Sequence, residues 1–259
     1  MLFLKLGGSL ITDKHSPRTA RPETLARLMR EIAEARAARP DMQILLGHGS
    51  GSFGHSEAKK YGTRAGVQTP EQWRGYAEVQ HAAGLLNRLV VDGAREAGLP
   101  ILNCPPSASV ICRDGVIQSL ALAPIQSALQ HNLVPLVFGD VALDETRGGT
   151  IVSTEDVFRY LARVLRPQKI LLAGRDAGVL TRWPDGEVIP EIHDLGAAQI
   201  GGSHAADVTG GMVSKVREML ALAADAPGVE IRIFSGEVPG LVHAMLLGEA
   251  EAGTVIRKT

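Results

Sequence analysis

Ile44-Leu45-Leu46-Gly47-His48-Gly49-Ser50-Gly51-Ser52-Phe53-Gly54-His55 is the stretch on which the reading of this 259-residue chain turns. A short apolar run of β character breaks into four glycines, Gly47, Gly49, Gly51 and Gly54. It then reaches His55 and enters a helix predicted over residues 56–61. Glycines let backbone N–H groups approach an anion with no Cβ in the way, and a helix N-terminus adds donors and the positive end of its dipole. The stretch therefore reads as a site for phosphate or another anion, with His55 placed as a general acid or a cationic partner.

Two known patterns overlap here, and neither fits whole. Residues 49–54 form a G-x-G-x-x-G, but a dinucleotide fingerprint wants an acidic residue about twenty positions on, at the tip of the next strand. Glu71 and Glu78 fall in a predicted helix instead. Gly49 to Ser56 has the spacing of a Walker A loop, with His55 where the phosphate-reaching lysine should stand. A glycine turn with no ligand is the third alternative.

On the N-terminal side, Leu2–Leu6 reads as a strand running into Gly7-Gly8-Ser9, with Lys5 at the strand's end and Lys14 shortly after. Strand, glycine turn and lysine together suit phosphate. A helix over 23–38, with Leu25, Leu28, Met29 and Ile32 on one face, leads to a strand at 42–46. That strand–helix–strand order predicts a parallel crossover bringing both glycine turns to one sheet edge, where ligands of open α/β sheets bind.

On the C-terminal side, a helical pattern covers 71–97 with a break expected near Gly84 or Gly93. Its face of Trp73, Tyr76, Val79, Ala83, Leu86 and Val90 serves either as core and dimer packing or as part of a pocket for an apolar tail. Short strands follow at 100–103, 108–112 and 116–118, the last two joined by an Asp114-Gly115 hairpin turn, then a helix at 123–131. Val134–Phe138 ends in Gly139-Asp140, and a strand at 169–173 ends in Gly174-Arg175-Asp176. Ser153 and Asp156 have capping-box spacing, a structural role that competes with a ligand role for Asp156. A hairpin is expected from 179–181 and 188–189. Asp207-Val208-Thr209-Gly210-Gly211-Met212 opens a helix with Lys215 one turn in, a further anion-binding arrangement. A strand at 231–234, a helix at 239–247 and a strand at 254–257 complete one α/β unit with two lobes.

Composition narrows the classes. The formal charge is −1, which argues against a nucleic-acid partner held by electrostatics. Cys104 and Cys112 are the only cysteines and read as free thiols of a reducing compartment, so a cytoplasmic location is expected. Residues 1–6 run into glycine too soon for a signal peptide, and no apolar run approaches membrane-spanning length. Several strand–glycine turns, the three lysines Lys5, Lys14 and Lys215, and acids at strand ends point to phosphoryl transfer. There a protein mainly positions two phosphates and neutralises developing charge.

These elements resemble a known family. Lys5-Leu6-Gly7-Gly8-Ser9 with Lys14, Ser52-Phe53-Gly54-His55, Gly139-Asp140-Val141, and the turn at 207–212 with Lys215 are similar to the amino acid kinase superfamily. Ser52-Phe53-Gly54-His55 with Ala58-Lys59-Lys60-Tyr61-Gly62 resembles its isopentenyl phosphate kinase branch in particular. The resemblance runs over essentially the whole chain. It implies an open three-layer αβα sandwich with a mostly parallel central sheet, usually a homodimer. It further implies an acceptor lobe at about 1–150, an ATP lobe at about 151–259, and ATP with Mg²⁺ as cofactors.

The implied reaction moves a phosphoryl group from ATP to isopentenyl phosphate, a small-molecule phosphate substrate, with no nucleic-acid or membrane partner. Carried over by position, Lys5 and Lys14 would contact the transferring group. Gly7, Gly8 and Ser9 would supply donors, and Asp140 would orient the lysines. Ser50, Gly54, His55 and Gly139 would hold the acceptor. Gly51, Asp156 or Asp176, Gly211 and Lys215 would serve the nucleotide and its metal; no protein-only metal site is implied.

Two departures stand out: Ser50 interrupts a run usually of three glycines, and Gly174-Arg175-Asp176 replaces an acidic turn, leaving Arg175 free to contact the nucleotide. A fosfomycin kinase-like phosphonate kinase, a carboxylate kinase and a non-catalytic ligand-binding module remain as rivals.

Overall fold

The computed structural model describes residues 1–196 and 211–258. Its N-terminal half runs β1 (Leu2–Leu6), α1 (Gly8–Ile11), α2 (Pro22–Ala38), β2 (Ile44–His48) and α3 (Gly51–Tyr61). After a 3₁₀ turn at Thr63–Ala65 come α4 (Pro70–Glu96), β3 (Ile101–Asn103), β4 (Ile111–Arg113), β5 (Val116–Ser119) and α5 (Leu122–Gln130). The chain continues through β6 (Val134–Phe138), β7 (Asp140–Asp144), β8 (Gly148–Val152), α6 (Thr154–Leu165) and β9 (Lys169–Gly174). The last elements are β10 (Glu191–Ile192), α7 (Gly211–Asp225), β11 (Glu230–Ser235), α8 (Leu241–Leu247) and β12 (Thr254–Ile256).

An eight-stranded sheet in the order β10-β12-β11-β9-β1-β2-β6-β3 forms the middle layer. All its pairings are parallel except β11 with β12. Strand side chains alternate between faces, so each central strand feeds two cores. Leu2, Leu4 and Leu6 of β1 pack with Leu28, Met29 and Ile32 of α2, Val90 of α4 and Val242 of α8. Phe3, between them, joins Phe158 and Leu161 of α6 and Val216 of α7 on the opposite face, its ring 5.1 Å from that of Phe158. This is the expected three-layer αβα sandwich. A second sheet, β5-β4-β7-β8, packs against α4 and the turn at Thr63–Ala65.

Register sets the functional edge. Leu6 pairs with His48 and Ala173, His48 with Phe138, and Ser235 with Gly174. Five adjacent strands therefore reach their carboxyl ends together, in Gly139, Gly49, Gly7, Gly174 and Gly236. The two N-terminal turns are pressed backbone against backbone. A Cβ on Gly8 would stand 2.5 Å from Gly51 N, and one on Gly49 would stand 2.8 Å from Gly8 N. Buried Thr12 ties them, its Oγ1 donating to Gly8 O (2.7 Å) and accepting from Ser52 N (3.0 Å).

Several expectations change at the level of elements. α3 begins at Gly51, five residues before the predicted start, because Gly51 takes φ +52° and lets the glycine stretch itself wind into the first turn. α4 runs unbroken through Gly84 and Gly93: a capping box between Thr69 and Gln72 starts it, and its buried face holds it against the core. The hairpin of β4 and β5 forms at Asp114-Gly115, both at positive φ as such a tight turn requires. The expected hairpin at 179–189 reduces to one bridge, Leu180 with Val188. Asp144–Gly149 reads from the sequence as a charged, glycine-bearing turn and joins β7 to β8, whose strands, like β10, carried no legible signal.

If Thr12 is the tie between the two turns, Thr12→Val keeps its shape but strands Ser52 N, while Gly8 O keeps its bond from Thr12 N. Urea denaturation should show a loss of about 1–3 kcal/mol. A change below about 0.5 kcal/mol would mean the turns hold each other without it.

Candidate active site

A cavity of about 380 Å³ opens along this row of strand ends. Lys5, Gly7, Gly8, Ser9, Lys14 and Gly51 line it from the first two turns, with Ser50, Gly54 and His55 beside them. Gly139 and Asp140 close one side; Asp176 and Lys215 close the other. Of the fifteen residues singled out from the sequence, only Asp156 and Gly211 are not among its lining residues. Asp207 to Gly210, the start of the last glycine motif, lie outside the described residues.

The electrostatics differ from the sequence expectation at three points. Asp140 was expected to orient lysines, yet its Oδ2 accepts from Ser107 N (3.1 Å) and its Oδ1 from Val141 N (2.9 Å). The carboxylate on Lys5 is Glu155, with Nζ and Oε1 2.6 Å apart. Burial alone would push Glu155 up; the charge and hydrogen bond of Lys5, joined by Lys215, outweigh it and hold the carboxyl below its ordinary range. Asp156, the second point, closes a capping box on Ser153 and lies 3.8 Å from Arg64. This leaves Asp176 as the strand-end acid in the cavity wall. Third, Arg175 is not free: its Nε pairs with Glu237 at 3.2 Å, beside the Arg21–Glu237 pair.

Glu155 was missed because the cap drew the reading to its neighbour. On α6 the third helical position folds back onto Ser153, and the second is rotated away from it, toward Lys5. Thr154, at the first position, docks the helix on β2 through Oγ1 to His48 O (2.6 Å). Glu218, three residues after Lys215 on α7, was also missed and lines the cavity. Burial raises its pKa to about 7, helped by the charges of Glu155 and Asp156 and partly offset by Arg64 and Lys5.

The α4 face divides. Val79 and Ala83 reach the cavity, with Ile151 of β8. Tyr76 packs over Gly149, whose Cβ would meet its ring at 2.9 Å. The phenol is pushed up to about 12 by burial, with Asp140 and Cys112 adding to it. The cavity thus joins a polar end of glycine turns and lysines to an apolar wall. Among the described residues no group of three His, Cys, Asp or Glu side chains is arranged to hold a metal.

A row of glycine turns at parallel strand ends, with Lys5 from β1, Lys14 from the loop after α1 and Lys215 from α7 lining the cavity beside it, defines a phosphate-handling α/β enzyme site. The chain belongs to the amino acid kinase family, whose model matches residues 1–235. Its full-length relatives include isopentenyl phosphate kinases. It is 38% identical over 260 residues to that of Haloferax volcanii, covering 99% of this chain and 98% of the relative. To that of Methanothermobacter thermautotrophicus it is 35% identical over 268 residues, again covering 99% and 98%. A crystal structure described as isopentenyl phosphate kinase superposes with a TM-score of 0.85, at 32% identity and 99% coverage of both chains.

The position of Glu218 gives a pH test. An unfolded glutamate releases its proton near 4.5 and folded Glu218 near 7. Between those values the unfolded chain binds fewer protons, so the contribution of Glu218 lowers stability as pH rises through that window. Glu218→Gln should remove that fall. In urea denaturation its advantage over the parent should be larger at about pH 8 than at about pH 5; an advantage independent of pH would refute the assignment.

Proposed function

We propose that this chain transfers the γ-phosphoryl group of ATP to isopentenyl phosphate, giving isopentenyl diphosphate and ADP. The observation that carries the reading is the make-up of this cavity: a phosphate cradle continuous with an apolar wall at Val79, Ala83 and Ile151. A phosphate monoester with a short hydrocarbon tail matches both ends. The full-length similarity to isopentenyl phosphate kinases supports the same substrate.

In this reading an acceptor phosphate oxygen attacks the γ-phosphorus as the β–γ bridging bond breaks, and ADP leaves with that electron pair. Two anions must meet, so the protein's task is positioning and charge neutralisation. The turns at Gly8–Ser9 and Ser50–Gly51 offer N–H donors to the phosphates. Lys14 and Lys5 balance the charge growing on the transferred group, and Lys215 steadies the nucleotide side with Asp176. His55, on α3 beside the acceptor end, hydrogen-bonds the acceptor phosphate and aligns it. Glu155 pairs with Lys5, and an incoming phosphate competes for the same ammonium.

Residues 1–150 form the acceptor half and residues 151–259 the ATP half. Mg²⁺ fits as an ion carried by the phosphate oxygens with one or two carboxylates, a donor set natural to it. When bound, it neutralises nucleotide charge. A homodimer is supported by Trp73, Leu85 and Leu89, which α4 leaves exposed. Cys104 and Cys112 are free thiols, in keeping with a cytoplasmic location.

A coupled ADP-release assay with isopentenyl phosphate, fosfomycin and glutamate side by side tests the acceptor. Turnover on isopentenyl phosphate is expected to dominate, and dominance of either other acceptor overturns the reading. His55→Ala should lower kcat/KM for isopentenyl phosphate by about a hundredfold while the KM for ATP holds. Val79→Ala should shift preference toward longer prenyl phosphates, by roughly tenfold or more per pocket methylene. If chain-length preference does not move, the tail lies elsewhere.

A further inference from the structure

His48 ends β2 directly before Gly49-Ser50-Gly51, and none of the roles assigned above uses its side chain. The residue is fully buried. Its ring lies parallel to that of Phe138, 2° between planes and 5.3 Å between centroids. Its Nδ1 stands 3.0 Å from Gly49 O, and its Nε2 stands 3.2 Å from the Asn87 side-chain oxygen. The Asn87 amide in turn donates to Asn103 Oδ1 at 3.0 Å. A carbonyl oxygen can only accept, so Nδ1 must carry a hydrogen. Burial, with the nearby charge of Lys5, favours the neutral ring. Nδ1–H then faces Gly49 O, and reversing the Asn87 and Asn103 amides together supplies a donor to Nε2 and keeps the Asn87–Asn103 bond, now donated by Asn103.

The consequence lies one atom further along the backbone. In a trans peptide, C=O and N–H point to opposite sides. A Gly49 carbonyl held inward by a buried imidazole turns the Ser50 N–H outward. That N–H stands 3.7 Å from where a Cβ of Gly139 would sit, at the wall of the cavity. No described acceptor takes it. Gly49, with no Cβ, leaves one side of this peptide free to rotate, and the hydrogen bond from the His48 ring holds it in one orientation.

We propose that His48 is a positioning residue: its Nδ1–H locks the Gly49–Ser50 peptide so that the Ser50 N–H is aimed at an acceptor phosphate. Asn87 and Asn103 orient the ring, and Phe138 fixes its plane. The proposal rests on the reading that the acceptor phosphate seats at this turn. It accounts for the buried polar relay behind an otherwise apolar strand, and it makes acceptor affinity depend on a side chain that never touches the acceptor.

Two isosteric variants separate this from a purely structural role. The amide nitrogen of His48→Asn can occupy the Nδ1 position and keep the bond to Gly49 O. That of His48→Gln reaches the Nε2 position and loses it. His48→Gln should raise the KM for isopentenyl phosphate by about tenfold, the loss of one hydrogen bond's orientation, with the KM for ATP unchanged. His48→Asn should stay within about threefold of the parent on both substrates. Equal losses in the two variants, parallel rises for acceptor and ATP, or an unaltered His48→Gln overturn the proposal.

Parent turnover on isopentenyl phosphate is measured first; its absence would remove the acceptor reading, separately from His48. The tautomer can be read in the parent whatever the acceptor, and whether or not the variants fold. Histidine-selective ¹⁵N labelling should show a slowly exchanging Nδ1–H on a buried ring. A ring protonated on Nε2 alone would overturn the lock.

Discussion

The structure depends on one close approach: Gly8 lies against Gly49 and Gly51 with no room for a Cβ on either side. Parallel pairing of β1 with β2 in the register Leu6–His48 brings the two strand ends level, and the glycines let the turns beyond them touch. Thr12 bonds both turns at once. Two cradles that could have been separate anion sites become one continuous floor. The apolar sandwich serves this geometry, since cores on both faces of the sheet keep the strand ends from sliding past one another.

Charge is arranged around that floor as a set of exchangeable pairs. Lys5 and Glu155 satisfy each other in a half-enclosed site, where an unpaired charge would be costly. Glu218 sits beside them with its pKa raised to about 7, chiefly by burial and further by the charges of Glu155 and Asp156. A polyanion entering the cavity takes lysine contacts away from carboxylates, and the displaced negative charge must be met by proton uptake or by a cation arriving with the ligand. Ligand charge and local protonation are therefore coupled through the same few side chains.

The clean stripe of α2 and the glycine after each strand made the parallel crossover and its ligand edge legible in the sequence, and the family resemblance carried by Lys5–Ser9 and Ser52–His55 implied the three-layer sandwich. Thirteen of the fifteen residues singled out line the cavity for the same reason: strand-end glycines and lysines are local signals with a fixed geometric meaning. What escaped depends on rotation and long-range register. Glu155 and Asp156 are adjacent in sequence, yet a helical step turns them to different partners. The β7–β8 hairpin has little periodicity of its own and forms by pairing across a turn held by Asp144, which accepts from Thr146 and Arg147 N. α4 passes through two glycines because its buried face outweighs their propensity.

The strand-end glycines are not equivalent in what they permit. At Gly8, Gly49 and Gly51 an added methyl meets backbone or Thr12 at under 3 Å, so these positions are closed to change. At Gly139 and Gly174 the nearest atoms to a new Cβ lie 3.7 and 4.0 Å away, ordinary contact distances. Both positions line the cavity, one after β6 and one at the end of β9. The scaffold therefore has a fixed keel and two adjustable walls. A side chain added at either wall reshapes the cavity without renegotiating the sheet.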